Sequence, residues 1–62
     1  MNEAFMILLN GQEVYSGQRV RRGRRKVTFR RMVFEPEGDF AEVVDPSGKI
    51  HKCSPAELRN DG

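Results

Sequence analysis

Apolar positions along this chain come in short bursts separated by glycine, proline and asparagine, and no helical period is sustained. The spacing predicts strands over 5–9 and 12–15 around Asn10-Gly11. Both of those residues tolerate positive φ, which favours a two-residue hairpin turn. Ser16-Gly17 and Gly23 bracket a short strand over 18–22. The longest strand is expected over 26–35, where Val27, Thr28, Phe29, Val33 and Phe34 supply β-branched and aromatic character. Pro36-Glu37-Gly38 then turns the chain into a strand over 39–45, and Asp45-Pro46-Ser47-Gly48 turns it again into one over 49–53. The one helical signal is Ser54-Pro55-Ala56-Glu57, a capping box with proline at the first helical position. So few residues follow that a single 3₁₀ or α turn through Leu58 is expected, with 60–62 as a frayed tail. The fold class is therefore all-β: one domain over 1–59, closed as a small antiparallel barrel of five to six short strands.

The longest strand has a phase conflict. Alternation puts Val27 and Phe29 on one face but Met32 and Phe34 on the other, with Arg30-Arg31 between them. A β-bulge at Arg30-Arg31 would bring all four to one buried face and add the twist a small closed sheet needs. With a turn centred on Glu37, Phe34 then faces Phe40, and Met32 faces Glu42. The predicted core is Ile7, Leu9, Val14, Val20, Val27, Phe29, Met32, Phe34, Phe40, Val44, Ile50 and Leu58.

Charge changes the picture more than composition does. Lys and Arg total 11 against 9 Asp and Glu, a net +2, but the layout is polarised. Arg19, Arg21, Arg22, Arg24, Arg25, Lys26, Arg30 and Arg31 are concentrated in one stretch. Glu35, Glu37, Asp39, Glu42 and Asp45 follow with no cation among them. So dense a run of like charge has to be offset, either by that acidic segment folding back or by a polyanion. The first gives a solvated, internally paired face; the second gives a phosphate-binding stripe with those eight residues as its contacts. Seven of the eight are arginine, whose planar fork suits phosphate and carboxylate alike. Arg21, Arg22, Arg24 and Arg25 crowd one glycine, Gly23, and form the expected focus of the site. The core claims three of the four phenylalanines, leaving Phe5 and Tyr15; Tyr15, just before the basic stretch, is a candidate stacking residue or a half-buried barrel tyrosine.

Gly17-Gln18-Arg19-Val20-Arg21-Arg22-Gly23 resembles the opening of SH3-like small barrels of the KOW and Tudor-like kind: a glycine, a short strand alternating valine with basic residues, then a glycine turn. The far end is similar too, with a strand, the Asp-Pro-Ser-Gly turn, a second strand, and a helical turn ending in Leu58. The resemblance covers about 17–59 and implies an SH3-like barrel. Arg24-Arg25-Lys26 stand where the KOW pattern has its second glycine, so KOW-type contacts do not carry over. In its general look the chain also resembles the short accessory proteins of phages and mobile elements.

The remaining chemistry is sparse. His51 and Cys53 alternate onto one strand face, but nothing supplies an orienting third group or a pocket. Asp45, Ser47 and His51 lack an oxyanion hole, and Glu35, Glu37 and Asp39 belong to a hairpin tip rather than to a calcium loop. No catalytic residue, metal site or cofactor is assigned, and no enzyme is expected. A single cysteine excludes an internal disulfide framework. The apolar run over 5–9 falls far short of the roughly 18 residues of a membrane span and has no basic residue ahead of it, so a cytoplasmic domain without a membrane partner is expected. Expected partners are nucleic acid, DNA or RNA, or an acidic protein surface. The apolar strand over 5–9 offers an edge for homodimer pairing.

Overall fold

The computed structural model describes residues 2–61 and is all-β. Its strands are β1 Asn2–Ala4, β2 Met6–Leu9, β3 Gln12–Tyr15, β4 Arg19–Arg22, β5 Arg25–Phe34, β6 Phe40–Val44, β7 Ile50–Cys53 and β8 Leu58–Asn60. All pairings are antiparallel. The main sheet runs β7-β6-β5-β4-β8, while β2 and β3 form a separate hairpin. β5 is the spine. Thr28 pairs with Arg19 on one side and Val44 on the other, and Met32 pairs with Ala4 and Ala41. One edge of β5 therefore carries β4 and then β1, while the other carries β6.

The six strands expected from the pattern are present, and two more flank them. The chain breaks at Phe5, where it leaves the main sheet after β1 and enters the hairpin; the Ser16 amide donates to the Phe5 carbonyl at 2.8 Å. Asn10 (φ 51°) and Gly11 (φ 79°) both take positive φ, the geometry that a two-residue primed turn requires. Ser54 caps a 3₁₀ turn over Pro55–Glu57 with the full capping box. That turn returns the chain so that β8 lies along β4, with Val20 opposite Asn60 and Arg22 opposite Leu58. Asn60, expected to open a frayed tail, instead ends a paired strand, and its Nδ2 donates to the Leu9 carbonyl at 2.8 Å.

The bulge falls where the phase conflict places it, the register shifting between Phe29 and Arg31. The pairing beyond it is displaced by one residue: Val33, not Phe34, faces Phe40, and Arg31, not Met32, faces Glu42. Phe34 ends β5 opposite Asn2 of β1 and has no partner on β6, and a slip of one residue turns every partner side chain to the opposite face. Ala41, Val43 and Cys53 therefore point inward in place of Phe40, Val44 and Ile50. Val33 is also fully covered, whereas Phe34 and Ile50 are exposed and Phe40 and Val44 are half-buried. The rest of the predicted core holds: Ile7, Leu9, Val14, Val20, Val27, Phe29, Met32 and Leu58 are buried together. Phe29 is the largest fully enclosed side chain, so it contributes most to a core this small.

Candidate nucleic-acid interface

The sheet divides the eight basic side chains into three groups. β4 and β5 meet with Arg21 opposite Lys26 and Arg22 opposite Arg25, which sends the two pairs to opposite faces. Arg19 shares the face of Arg21, and Arg59 of β8 stands opposite Arg21 on that same face. Arg59, Arg21 and Lys26 thus form a row across three adjacent strands, with Arg19 beside it, all exposed. Directly opposed like charges repel across a ladder. The row's carboxylate is Asp61, whose Oδ1 accepts from Arg21 Nε at 3.0 Å. That hydrogen bond, reinforced by the fields of Lys26 and Arg19, holds the Asp61 carboxyl below its ordinary value.

At the tip, Gly23 takes φ 63° and starts the two-residue turn between β4 and β5. Arg24 and Arg25 are exposed there and make no ion pair among the described residues. Arg22 is drawn away to Glu57 of the 3₁₀ turn, Nε to Oε1 3.3 Å. The four guanidinium groups around Gly23 therefore do not converge on one point.

Arg30 and Arg31 belong to a different structure. Glu42, the buried charged residue of β6, accepts on Oε1 from Arg30 Nη1 at 2.5 Å and from Arg31 Nε at 2.6 Å, and on Oε2 from Arg31 Nη2 at 3.4 Å. Arg31 also bonds to Glu3 of β1. These bonds, that from Arg31 foremost, lower the Glu42 carboxyl pKa and offset the effect of its burial. Two residues of the expected stripe thus serve to tie β1, β5 and β6 together. Lys52, opposite Glu42 on β7, sits over the Phe40 ring at 4.8 Å and completes this side of the sheet.

Tyr15 is exposed rather than half-buried, and its hydroxyl donates to Glu13 Oε1 at 2.9 Å. It borders a groove of about 620 Å³ between the hairpin and the ends of β4 and β8, together with Gln18, Arg19, Asn60 and Asp61. A second, smaller groove, about 320 Å³, lies across Arg19, Lys26, Thr28 and Pro46. Arg19 stands between the two. Arg59, Asn60 and Asp61 are the members that sequence reasoning missed; their one signal is the apolar Leu58 ahead of three polar residues, too little to read as a strand.

The Asp45 turn gathers Ser47 and His51, though not in a catalytic order. Ser47 Oγ donates to Asp45 Oδ1 at 2.6 Å, and His51 Nε2 lies 2.6 Å from Oδ2. Asp45 stands between the serine and the histidine, so His51 is not placed to take the Ser47 proton. The Ser47 hydroxyl, His51 and the Lys49 amide together hold the Asp45 carboxyl well below the usual carboxylate range. Cys53 is buried, and burial pushes its thiol pKa up, away from a reactive thiolate. Among the described residues no group of His, Cys, Asp and Glu is arranged to hold a metal, and no helix is long and apolar enough to cross a membrane.

No family description, curated protein or solved structure matches the chain.

Proposed function

We propose that this chain is a non-enzymatic SH3-like barrel that binds nucleic acid through its phosphates, with Arg19, Arg21, Lys26 and Arg59 as the principal contacts and Arg24 and Arg25 at the rim. The observation that carries the reading is the Arg59–Arg21–Lys26 row, three cations directly abreast on neighbouring strands beside one carboxylate. Three other arginines of the stretch have carboxylate partners: Glu42 and Glu3 take up Arg30 and Arg31, and Glu57 takes up Arg22. A row left unbalanced in such a sheet is relieved by a multivalent anion. The return of β8 onto β4 after the 3₁₀ turn supports the barrel assignment. Salt titration of binding to mixed-sequence DNA and RNA tests the function. Four neutralised phosphates give a log–log slope of about −3; a flat titration, or no binding at low salt, overturns the reading.

A second reading, a protein-interaction or assembly module, is favoured by the hairpin. Phe5, Leu8 and Tyr15 are each more than half exposed, at 55%, 61% and 51%, and among the described residues β2 has no strand partner besides β3. Pairing of two copies along β2 would supply a second partner. Sedimentation across a wide concentration range decides: a strict monomer removes the self-association version.

A further inference from the structure

The groove between the hairpin and the barrel differs from the basic row in kind, because it offers an aromatic face and paired polar groups rather than charge alone. We propose that it is a base subsite, which takes an unpaired nucleobase stacked on Tyr15 while the adjoining phosphates lie on Arg19 and Arg21. This rests on the phosphate-binding reading and names its substrate class: single-stranded nucleic acid.

Three observations carry it. First, Tyr15 lines the groove with about half of its surface open, and its hydroxyl is tied to Glu13, which restrains the ring. A restrained, partly open ring loses little freedom when a base stacks on it. Second, two of the groove's three side-chain amides, those of Gln18 and Asn60, are each half used. Gln18 Oε1 accepts the Tyr15 amide at 2.6 Å, which leaves its NH₂ as a donor. Asn60 gives Nδ2 to the Leu9 carbonyl, which leaves its Oδ1 as an acceptor. One donor and one acceptor thus line the same groove as Tyr15, the kinds of group that meet a base edge. Third, the groove continues into the charged row, since Arg19 lines it and Asp61, the partner of Arg21, forms part of its wall. Glu13 and Asp61 put negative charge at the groove's sides, which disfavours a phosphate inside it and leaves the phosphates to the arginines. In a duplex, each base's faces are already occupied by its neighbours, so only an unpaired base can use Tyr15.

The test compares fluorescein-labelled ten-residue oligothymidylate and oligouridylate with an abasic phosphodiester strand of equal length and charge. Wild type should bind at least one of the two base-bearing strands about tenfold or more tightly than the abasic strand. Tyr15→Leu, an exposed position whose fold circular dichroism can verify, should bring that affinity down to the abasic level, and Tyr15→Phe, which keeps the ring and loses only its tie to Glu13, should retain most of it. The protein has one tyrosine, so its ring protons form a single assignable set in NMR. They should move upfield with the base-bearing strand and not with the abasic one. Equal affinity of wild type for all three strands, or an unaffected Tyr15→Leu, overturns the base subsite and leaves the phosphate reading standing. Failure of every strand to bind at low salt overturns both.

Discussion

Arg31 faces Glu42 directly across the β5–β6 ladder, Nε to Oε1 2.6 Å, and Arg30 reaches the same oxygen from the bulge beside it. The bulge thus converts two adjacent like charges into two donors to one carboxylate. Without the extra residue, alternation would send Arg30 and Arg31 to opposite faces. The same step that rephases the strand for its core therefore commits two arginines of the basic stretch to an internal carboxylate.

Removing the Glu42 charge should accordingly destabilise the fold. Glu42→Gln leaves two guanidinium groups sharing a neutral amide under partial burial, and the thermal midpoint should fall by about 5–10 °C. Nucleic-acid binding should be unchanged or tighter, because the two arginines lose their carboxylate. An unaltered midpoint would show that the network contributes nothing to stability.

Two phenylalanines separate the core as read from sequence from the core as folded. Phe29 is fully enclosed, so Phe29→Ala should cost about 3–5 kcal/mol. A core this small rarely supplies more than about 3–5 kcal/mol in all, so the variant should be unfolded at room temperature by circular dichroism. Phe34→Ala, on an exposed strand end, should stay folded with a midpoint close to wild type. Equal losses for the two would contradict the register of β5 against β6.

That register marks the limit of what the sequence discloses. Turn residues and alternation are local signals, and they placed the hairpin at Asn10-Gly11, the bulge at Arg30 and the cap at Ser54. Whether Val33 or Phe34 faces Phe40 depends on how many residues the turn consumes, and a turn containing Pro36 and Gly38 allows more than one length. The basic site had the same limit. Density of charge marked 19–31, but only long-range pairing shows which arginines have carboxylates: Glu42 is twelve residues from Arg30 and Glu57 is thirty-five from Arg22. Arg59 joins the row through β8, and no local signal connects it to Arg21.

Stability should fall in acid and be flat above it. Glu42, Asp45, Glu57 and Asp61 all have carboxyl pKa values held below the ordinary 4.5 for Glu and 3.8 for Asp. At pH values near those figures the unfolded chain binds more protons than the folded one, so stability rises with pH there. The contribution is complete above about pH 5 and is lost as pH drops through the lowered folded values. Denaturant midpoints should be level from pH 7 to 5 and decline steadily from about 4.5 to 2.5. Asp45→Asn should lower the midpoint at pH 7 and make the acid decline shallower. A decline that begins between pH 7 and 5 would mean another group dominates.

The last prediction sets the basic row against net charge. Lys26 and Lys49 are both exposed lysines, so Lys26→Glu and Lys49→Glu change the molecule's charge equally. Lys52 is a poorer control, since it covers Phe40 and faces Glu42. Lys26 stands directly opposite Arg21, where like charges repel, whereas Lys49 lies beyond the row in the turn before β7. Lys26→Glu should therefore leave the thermal midpoint unchanged or raise it by about 1–4 °C, the new carboxylate pairing with Arg21. It should also weaken binding of a mixed-sequence oligonucleotide at least tenfold and reduce the salt slope by about one, while Lys49→Glu changes affinity no more than about twofold. A substitution that steadies the fold while it removes binding is the signature of a row kept unbalanced for a ligand. Equal losses from the two variants would assign binding to net charge, and no loss from either would leave the row a solvated face.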